Sequence, residues 1–139
     1  MRHIILSILA LLAFSSCSRK LNEVVVVSFP NGQPQKIWYT DKEGNCVKEA
    51  EFYDSGALYM EGAMKDGQRE GKWTAYFRDG RIQSVGYFVD GLREGEATVY
   101  RETGQLYMEG HYKAGKHCGV WKYYDEQGYL LREDDYGEP

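Results

Sequence analysis

The stretch that decides the fold is Gly115–Tyr124, which reads GKHCGVWKYY. The earlier stretch Gly67–Tyr76 reads GQREGKWTAY and carries the same two glycines, tryptophan and final tyrosine at the same places. Gly91–Tyr100 reads GLREGEATVY and lies midway between them, with Ala97 where the others have tryptophan. Three evenly spaced copies indicate a repeat architecture.

Further positions recur at the same interval that separates Gly67, Gly91 and Gly115. A turn glycine recurs once in each repeat, an aliphatic residue follows it by two positions, and a large apolar residue follows it by eight. The glycines are Gly56, Gly80, Gly104 and Gly128; the aliphatic residues are Leu58, Ile82, Leu106 and Leu130; the apolar residues are Met64, Phe88, Tyr112 and Tyr136. Upstream, Gly44 and Gly32 continue the turn glycines at half the interval, and an aromatic residue precedes Gly32, Gly56 and Gly80 by three positions.

Each full unit is predicted to form two strands. Ala57–Lys65 alternates, so that its even-numbered residues share one side of a strand. Asp66–Gly71 is predicted to be a loop closed by glycine at both ends, and about Lys72–Arg78 to be the returning strand. Asp79-Gly80 is a hairpin signal, because glycine accepts a positive φ without steric cost. With a first strand at Val24–Val27, we expect about ten strands and an all-β, elongated, single-layer antiparallel meander of hairpins.

The N-terminal residues have the pattern of a cleaved secretory signal peptide. A charged start, Met1–His3, precedes the apolar run Ile4–Phe14, and two serines lead to Cys17. The run is too short to span a bilayer, which takes about 20 residues as a helix. We therefore predict a signal peptide at residues 1–16, a tether at 17–23 and a repeat domain at 24–139.

The segment from Phe14 to Cys17 resembles the lipobox of bacterial lipoproteins, although that family usually has leucine in the place of Phe14. The resemblance implies that Cys17 becomes the acylated first residue of the mature chain. The residues after it, Ser18 and Arg19, are not acidic, which in similar lipoproteins favours the outer membrane. The side of that membrane stays open, and ordinary signal cleavage beside an unmodified Cys17 is the alternative.

The repeats share a common pattern of Gly-x-Leu, then an aromatic residue, then Gly-x-x-x-Gly-x-Trp-x-x-Tyr. This pattern resembles MORN repeats, specifically the bacterial variant, and extends from about Asn31 to Tyr136. The resemblance implies a twisted single-layer sheet that acts as a scaffold or binding surface. It implies no reaction, and the antitoxin or immunity-like description of some bacterial relatives is a further alternative.

Two sets of repeated side chains are candidate binding residues. The aromatic set is Trp73, Trp121, Tyr76, Tyr100 and Tyr124, and the loop set is Arg69, Arg93 and His117. The aromatic rings are expected to supply much of the buried area of a sheet with little other core, or else to line a groove for a peptide, glycan or lipid. The loop set is expected to be a solvated row that Glu70 and Glu94 largely neutralise, or else a cationic binding edge.

Composition and motifs argue against several classes of function. Without residues 1–16 the chain has 16 Lys and Arg against 21 Asp and Glu, a formal charge of −5, which disfavours nucleic acid as a partner. The chain has no Gly-x-Ser-x-Gly motif and no phosphate-binding loop, and its two histidines beyond residue 17 have no metal-ligand spacing. We therefore expect no enzyme activity, no cofactor and no metal.

Two functional hypotheses remain. In the first, the protein is a lipid-anchored scaffold of the bacterial envelope that binds a protein or glycan through its sheet. In the second, an edge of the sheet lies on the lipid surface to which Cys17 anchors it. The two further cysteines, Cys46 and Cys118, are expected to stay unpaired, since about six strand steps separate them at about 4.8 Å each. Cys118 is expected to lie at the opposite edge of the sheet from Cys46 and to be the more accessible thiol.

Overall fold

The computed structural model describes residues 20–138, so the predicted signal peptide and Cys17 lie outside the described residues. Every regular element in the described part is a strand, and no helix there is long and apolar enough to cross a membrane. The strands are β1 (Asn22–Ser28), β2 (Pro34–Thr40), β3 (Cys46–Phe52), β4 (Leu58–Lys65), β5 (Gln68–Tyr76), β6 (Ile82–Val89), β7 (Leu92–Arg93), β8 (Gly95–Tyr100), β9 (Leu106–Lys113), β10 (Lys116–Tyr124) and β11 (Leu130–Asp135).

The strands form one open antiparallel sheet in chain order. Ten of them make the continuous path, and the two-residue β7 pairs only with the end of β6 before the chain enters β8. The predicted all-β meander is therefore confirmed. The strands β1 and β11 are the two ends of the sheet, and the valines of β1 are exposed on both faces.

Five glycine turns lie along one side of the sheet, called here the first edge. They join β1 to β2, β3 to β4, β5 to β6, β8 to β9 and β10 to β11. In the turn at 53–57, the amide of Gly56 donates to the Tyr53 carbonyl and the amide of Tyr53 donates to the Ala57 carbonyl, both at 2.9 Å. Gly56 has a φ of 85°, a conformation that costs glycine little and other residues more.

The opposite side, called the second edge, differs from the prediction. Asp66–Gly71 is not a loop: Asp66 and Gly67 form a tight turn, and β5 already begins at Gln68. The φ angles of Asp66 and Gly67 are 50° and 76°, and two successive positive values give the turn the twist of the flanking strands. Gly71, with a φ of 63°, lies where the β4–β5 register shifts, so it marks a bulge within β5.

The two faces of the sheet have different chemistry. One face, called the tryptophan face, carries Trp73, Phe88 and Trp121, which are all buried. The other, called the polar face, carries acidic, threonine and tyrosine side chains around Glu61 and Glu109. A single-layer sheet has no second layer to cover either face, and its largest buried side chains are the tryptophans, Trp121 at 1% and Trp73 at 3% exposed.

The positions of the two cysteines correct part of the prediction. Both thiols are free, and Cys46 on β3 lies six strand steps from Cys118 on β10, as expected. Both nevertheless lie towards the second edge, because β3 and β10 both start there. Their burial is the reverse of the expectation, since Cys118 is 8% exposed and buried whereas Cys46 is partly exposed.

Candidate functional site

Each buried tryptophan lies flat on a glycine of the neighbouring strand. The indole Nε1 of Trp73 donates to the Ala63 carbonyl at 3.0 Å, and a Cβ at Gly62 would overlap the ring, with Cδ1 only 2.5 Å away. Trp121 repeats the arrangement: a Cβ at Gly110 would lie 2.6 Å from its Cγ, and its Nε1 donates to the His111 carbonyl at 3.1 Å. At Gly62 and Gly110 the ring therefore occupies the space that a side chain would need.

A guanidinium covers the outer side of the first ring. The Cζ atom of Arg69 lies 4.0 Å from the centre of the Trp73 ring and 5.6 Å from that of Phe88. Glu51 forms an ion pair with Arg69 at 3.7 Å. Arg69 belongs to β5 and not to a loop, so the prediction of a loop row is wrong at this position.

Arg93 takes a different place because its repeat lacks the tryptophan. Its guanidinium lies 5.4 Å from the Phe88 ring centre and 5.2 Å from that of Tyr112. Its Nη1 atom lies 3.3 Å from the point where a Cβ of Gly86 would be. With Ala97 in the place of a tryptophan, Arg93 on β7 thus covers the glycine that an indole covers elsewhere.

His117 completes the series on β10. Its ring centre lies 4.3 Å from that of Trp121, 4.8 Å from that of Tyr112 and 4.9 Å from that of Tyr136. Its Nε2 atom is 3.0 Å from the Tyr112 hydroxyl. The histidine therefore lies over Trp121 as Arg69 lies over Trp73.

These side chains form one continuous row, called here the cation–aromatic ladder. Its members are Arg69, Trp73, Phe88, Arg93, Tyr112, His117 and Trp121. Stacked guanidinium groups keep their hydrogen-bonding edges available while their planes contact the rings. The ladder is the candidate functional site, because it places cationic side chains in a row over buried rings on one face of the sheet.

The glutamates beside the arginines do not neutralise them, contrary to the prediction. The Glu70 carboxylate accepts a hydrogen bond from the Asp90 amide at 3.1 Å, and that of Glu94 accepts one from the Ala114 amide at 2.8 Å. The Ala114 amide, together with Lys113 at 2.8 Å, lowers the pKa of Glu94 below its usual value. Each glutamate thus accepts a hydrogen bond from the next hairpin tip. Within residues 20–138 it forms no ion pair with the neighbouring arginine, whose guanidinium can contact other groups.

A comparison with protein-family models adds to this geometry. The model of the MORN repeat variant matches residues 69–90 and 93–114. These two segments are MORN repeats of the variant type. Each match begins at a ladder arginine, and the same ring-on-glycine contact recurs beyond the matches at Trp121. No curated protein matches the chain significantly.

The predicted tyrosines of the MORN repeats lie apart from the ladder. The Tyr76 hydroxyl donates to Glu61 at 3.3 Å and that of Tyr124 donates to Glu109 at 2.6 Å, both on the polar face. Burial and then Glu61 raise the pKa of Tyr76, whereas the hydrogen bond to Glu109 is the main cause of the raised pKa of Tyr124. Tyr100 is half-buried at the equivalent end of β8. The predicted aromatic set therefore divides between two faces.

The described residues hold no group of three or more His, Cys, Asp or Glu side chains placed to bind a metal ion. Two members of the ladder, Phe88 and Tyr112, were predicted as repeat positions but not as binding residues. An aromatic cavity on the first edge, beside Tyr53, was not predicted either. The signal for that cavity was present, since an aromatic residue precedes three of the turn glycines.

Proposed function

We propose that this MORN-repeat protein is a non-catalytic binding scaffold, anchored in the bacterial outer membrane through an acylated Cys17, and that the cation–aromatic ladder is its binding surface. A scaffold function fits the repeat family, whereas the site itself must supply the specificity. The partner we propose is a protein of the envelope with an acidic surface.

The observation that carries this proposal is the exposure of the Arg93 guanidinium and its freedom from ion pairs within the described residues. Its side chain is exposed, it stacks beside two rings, and within the described residues no carboxylate forms an ion pair with it. An exposed guanidinium beside two rings presents paired donors that match a carboxylate. Arg69 lies in the same row with a weak 3.7 Å contact to Glu51, so a partner acid has two cations to meet.

The proposed anchor is compatible with the position of Lys20, the first described residue. Lys20 and Leu21 lead into β1 at Asn22, which pairs with Thr40 near the second edge. Only Ser18 and Arg19 lie between Cys17 and Lys20. An acylated Cys17 would therefore hold the second edge near the membrane and leave the tryptophan face open to the side.

An affinity experiment tests the ladder. The detergent-purified mature protein is immobilised and exposed to envelope extract, and captured proteins are identified by mass spectrometry. We expect the double variant Arg69→Ala/Arg93→Ala to lose a partner that the wild type captures. The control variant is Arg81→Ala, because Arg81 is exposed on the first edge, away from the ladder, and pairs with its neighbour Asp79. Equal capture by all three proteins would contradict the proposal, and capture of an acidic glycan would assign the ladder to that class instead.

A second candidate, a lipid-surface module, is favoured by one feature of the second edge. The β6–β7 tip exposes Val89 and Leu92. The equivalent positions hold Lys65 and Gln68 in the tip before it and Lys113 and Lys116 in the tip after it. Apolar side chains between cations suit the surface of an anionic bilayer.

Co-sedimentation of the Cys17→Ala protein with anionic liposomes separates the two functions. Binding that the double variant Val89→Ser/Leu92→Ser abolishes would support the lipid surface, because these side chains form the exposed apolar tip. Absence of binding by the Cys17→Ala protein would reject it.

A further inference from the structure

The first edge holds a cavity that the ladder does not involve. It has a volume of about 490 Å³ and lies between the β1–β2 and β3–β4 turns. Its walls are the rings of Phe29, Phe52, Tyr53 and Tyr59, and its rim includes Asp54 and Arg78. The Tyr53 and Tyr59 ring centres are 5.0 Å apart with an angle of 60° between their planes, so the two rings form an open corner.

Comparison between repeats shows that packing does not require this aromatic cluster. The Tyr53 hydroxyl donates to the Tyr76 carbonyl at 2.9 Å. Two repeats later Arg101 occupies the same position, donates to the Tyr124 carbonyl at 2.8 Å and stacks 4.5 Å from the Tyr107 ring. A charged residue thus fulfils the structural role of Tyr53, and the hollow beside it is lined by polar side chains such as Glu102 and Gln127.

The rim of the cavity is electrically neutral and carries donors that its own hydrogen bonds leave free. Arg78 pairs with Asp54 at 2.8 Å while its guanidinium lies 4.5 Å over the Tyr53 ring. The Asn31 amide oxygen already accepts from the Gln33 amide, and its nitrogen donates to the Asp54 carbonyl. Arg78 has five N–H donors, most of which this network leaves for a ligand.

We propose that this cavity binds a proline-rich segment of a partner protein in the polyproline II conformation. Such a segment has no internal hydrogen bonds, and its prolines offer carbonyl acceptors without N–H donors, which matches a rim with spare donors. Aromatic walls are the usual docking surface for this conformation. A neutral rim favours an uncharged ligand. The inference rests on the proposed binding function, for which it names a partner class, but not on the ladder.

Calorimetric titration of the detergent-purified mature protein with a decaproline peptide tests the site. We expect Tyr59→Ala to weaken binding by about tenfold or more, corresponding to about 1.4 kcal/mol. Tyr107→Ala is the matched control, since Tyr107 holds the equivalent position two repeats later beside Arg101, and it should bind as the wild type does. Arg78→Gln removes the guanidinium donors at an exposed residue and should weaken binding without unfolding the sheet.

Four results would overturn the inference: no binding of decaproline by the wild type, equal losses for Tyr59→Ala and Tyr107→Ala, unchanged affinity of Arg78→Gln, or binding of chitotriose in place of the peptide. If Tyr59→Ala fails to fold, Arg78→Gln decides the question alone. The ladder variant Arg69→Ala/Arg93→Ala should still bind decaproline. If decaproline does not bind but the wild type still captures a partner that the ladder variant loses, this inference is rejected and the proposed function is supported.

Discussion

The indole of Trp73 lies on the backbone of Gly62, its cross-strand partner in the β4–β5 pair, so closely that a Cβ there would be only 2.5 Å from the ring atom Cδ1. Gly86 holds the equivalent place in the next repeat, but Ala97 leaves it without an indole, and only the flexible end of Arg93 comes within 3.3 Å. Neither glycine has a positive φ, so the two sites differ mainly in the ring above them.

We predict that Gly62→Ala destabilises the protein by about 2 kcal/mol, because the added methyl group displaces a buried ring. Gly86→Ala should change the free energy of unfolding by less than about 1 kcal/mol, because the Arg93 side chain can move away. Urea denaturation followed by tryptophan fluorescence measures both. Equal effects of the two substitutions would show that the ring does not define the glycine position.

Trp121→Ala should destabilise the protein by about 3 to 5 kcal/mol, the range for deleting a buried large aromatic side chain. Trp121 is 1% exposed and also supports the rings of Tyr112 and His117. Thermal unfolding monitored by circular dichroism provides the measurement. A melting temperature equal to that of the wild type would mean that this ring contributes to binding and not to the fold.

Ala97→Trp should restore the ring that the middle repeat lacks. The new indole is expected to cover Gly86 and to move Arg93 into the stacked position that Arg69 has over Trp73. We expect a gain of about 1 kcal/mol, typical of a substitution towards the repeat consensus. A lower melting temperature than that of the wild type would show that the β6–β8 pair has no room for the ring.

Much of the fold followed from the sequence because turn glycines and alternating residues depend on local geometry. The boundaries at the second edge did not, because the pattern predicts that Gly71 closes a loop, whereas it marks a bulge within β5 that follows the Asp66-Gly67 turn. The ladder was hidden for the same reason: once Gln68 begins a strand, Arg69 lies over Trp73 instead of in a solvated loop. The partners of Glu70 and Glu94 lie in the next repeat, where no local pattern reveals them.

Cys17→Ala should leave the precursor without acyl chains and move the protein out of the membrane fraction. The basis of this prediction is the signal-like segment that ends at Cys17. Metabolic labelling with a clickable fatty acid, followed by fractionation, measures both effects. Ser16→Ala keeps a small residue before the cysteine and serves as the control. Unchanged labelling and membrane partition in the Cys17 variant would contradict lipidation at this residue.

The two cysteines of the repeat domain should differ in reactivity because their burial differs. Cys46 is partly exposed, and its Sγ atom lies 3.3 Å from the Lys48 carbonyl, whereas Cys118 is buried in the place that Glu70 and Glu94 hold in other repeats. Burial raises the pKa of the Cys46 thiol, so less of the reactive thiolate is present at neutral pH. We therefore expect slow maleimide labelling of Cys46 at pH 7, faster labelling as the pH rises towards its pKa, and labelling of Cys118 only after denaturation. Mass analysis of the labelled peptides shows which cysteine has reacted.

Mass analysis of non-reduced peptides also tests the open sheet. A bond between Cys46 and Cys118 would contradict it, because six strand steps at about 4.8 Å far exceed the Cα distance of about 7 Å that a disulfide spans.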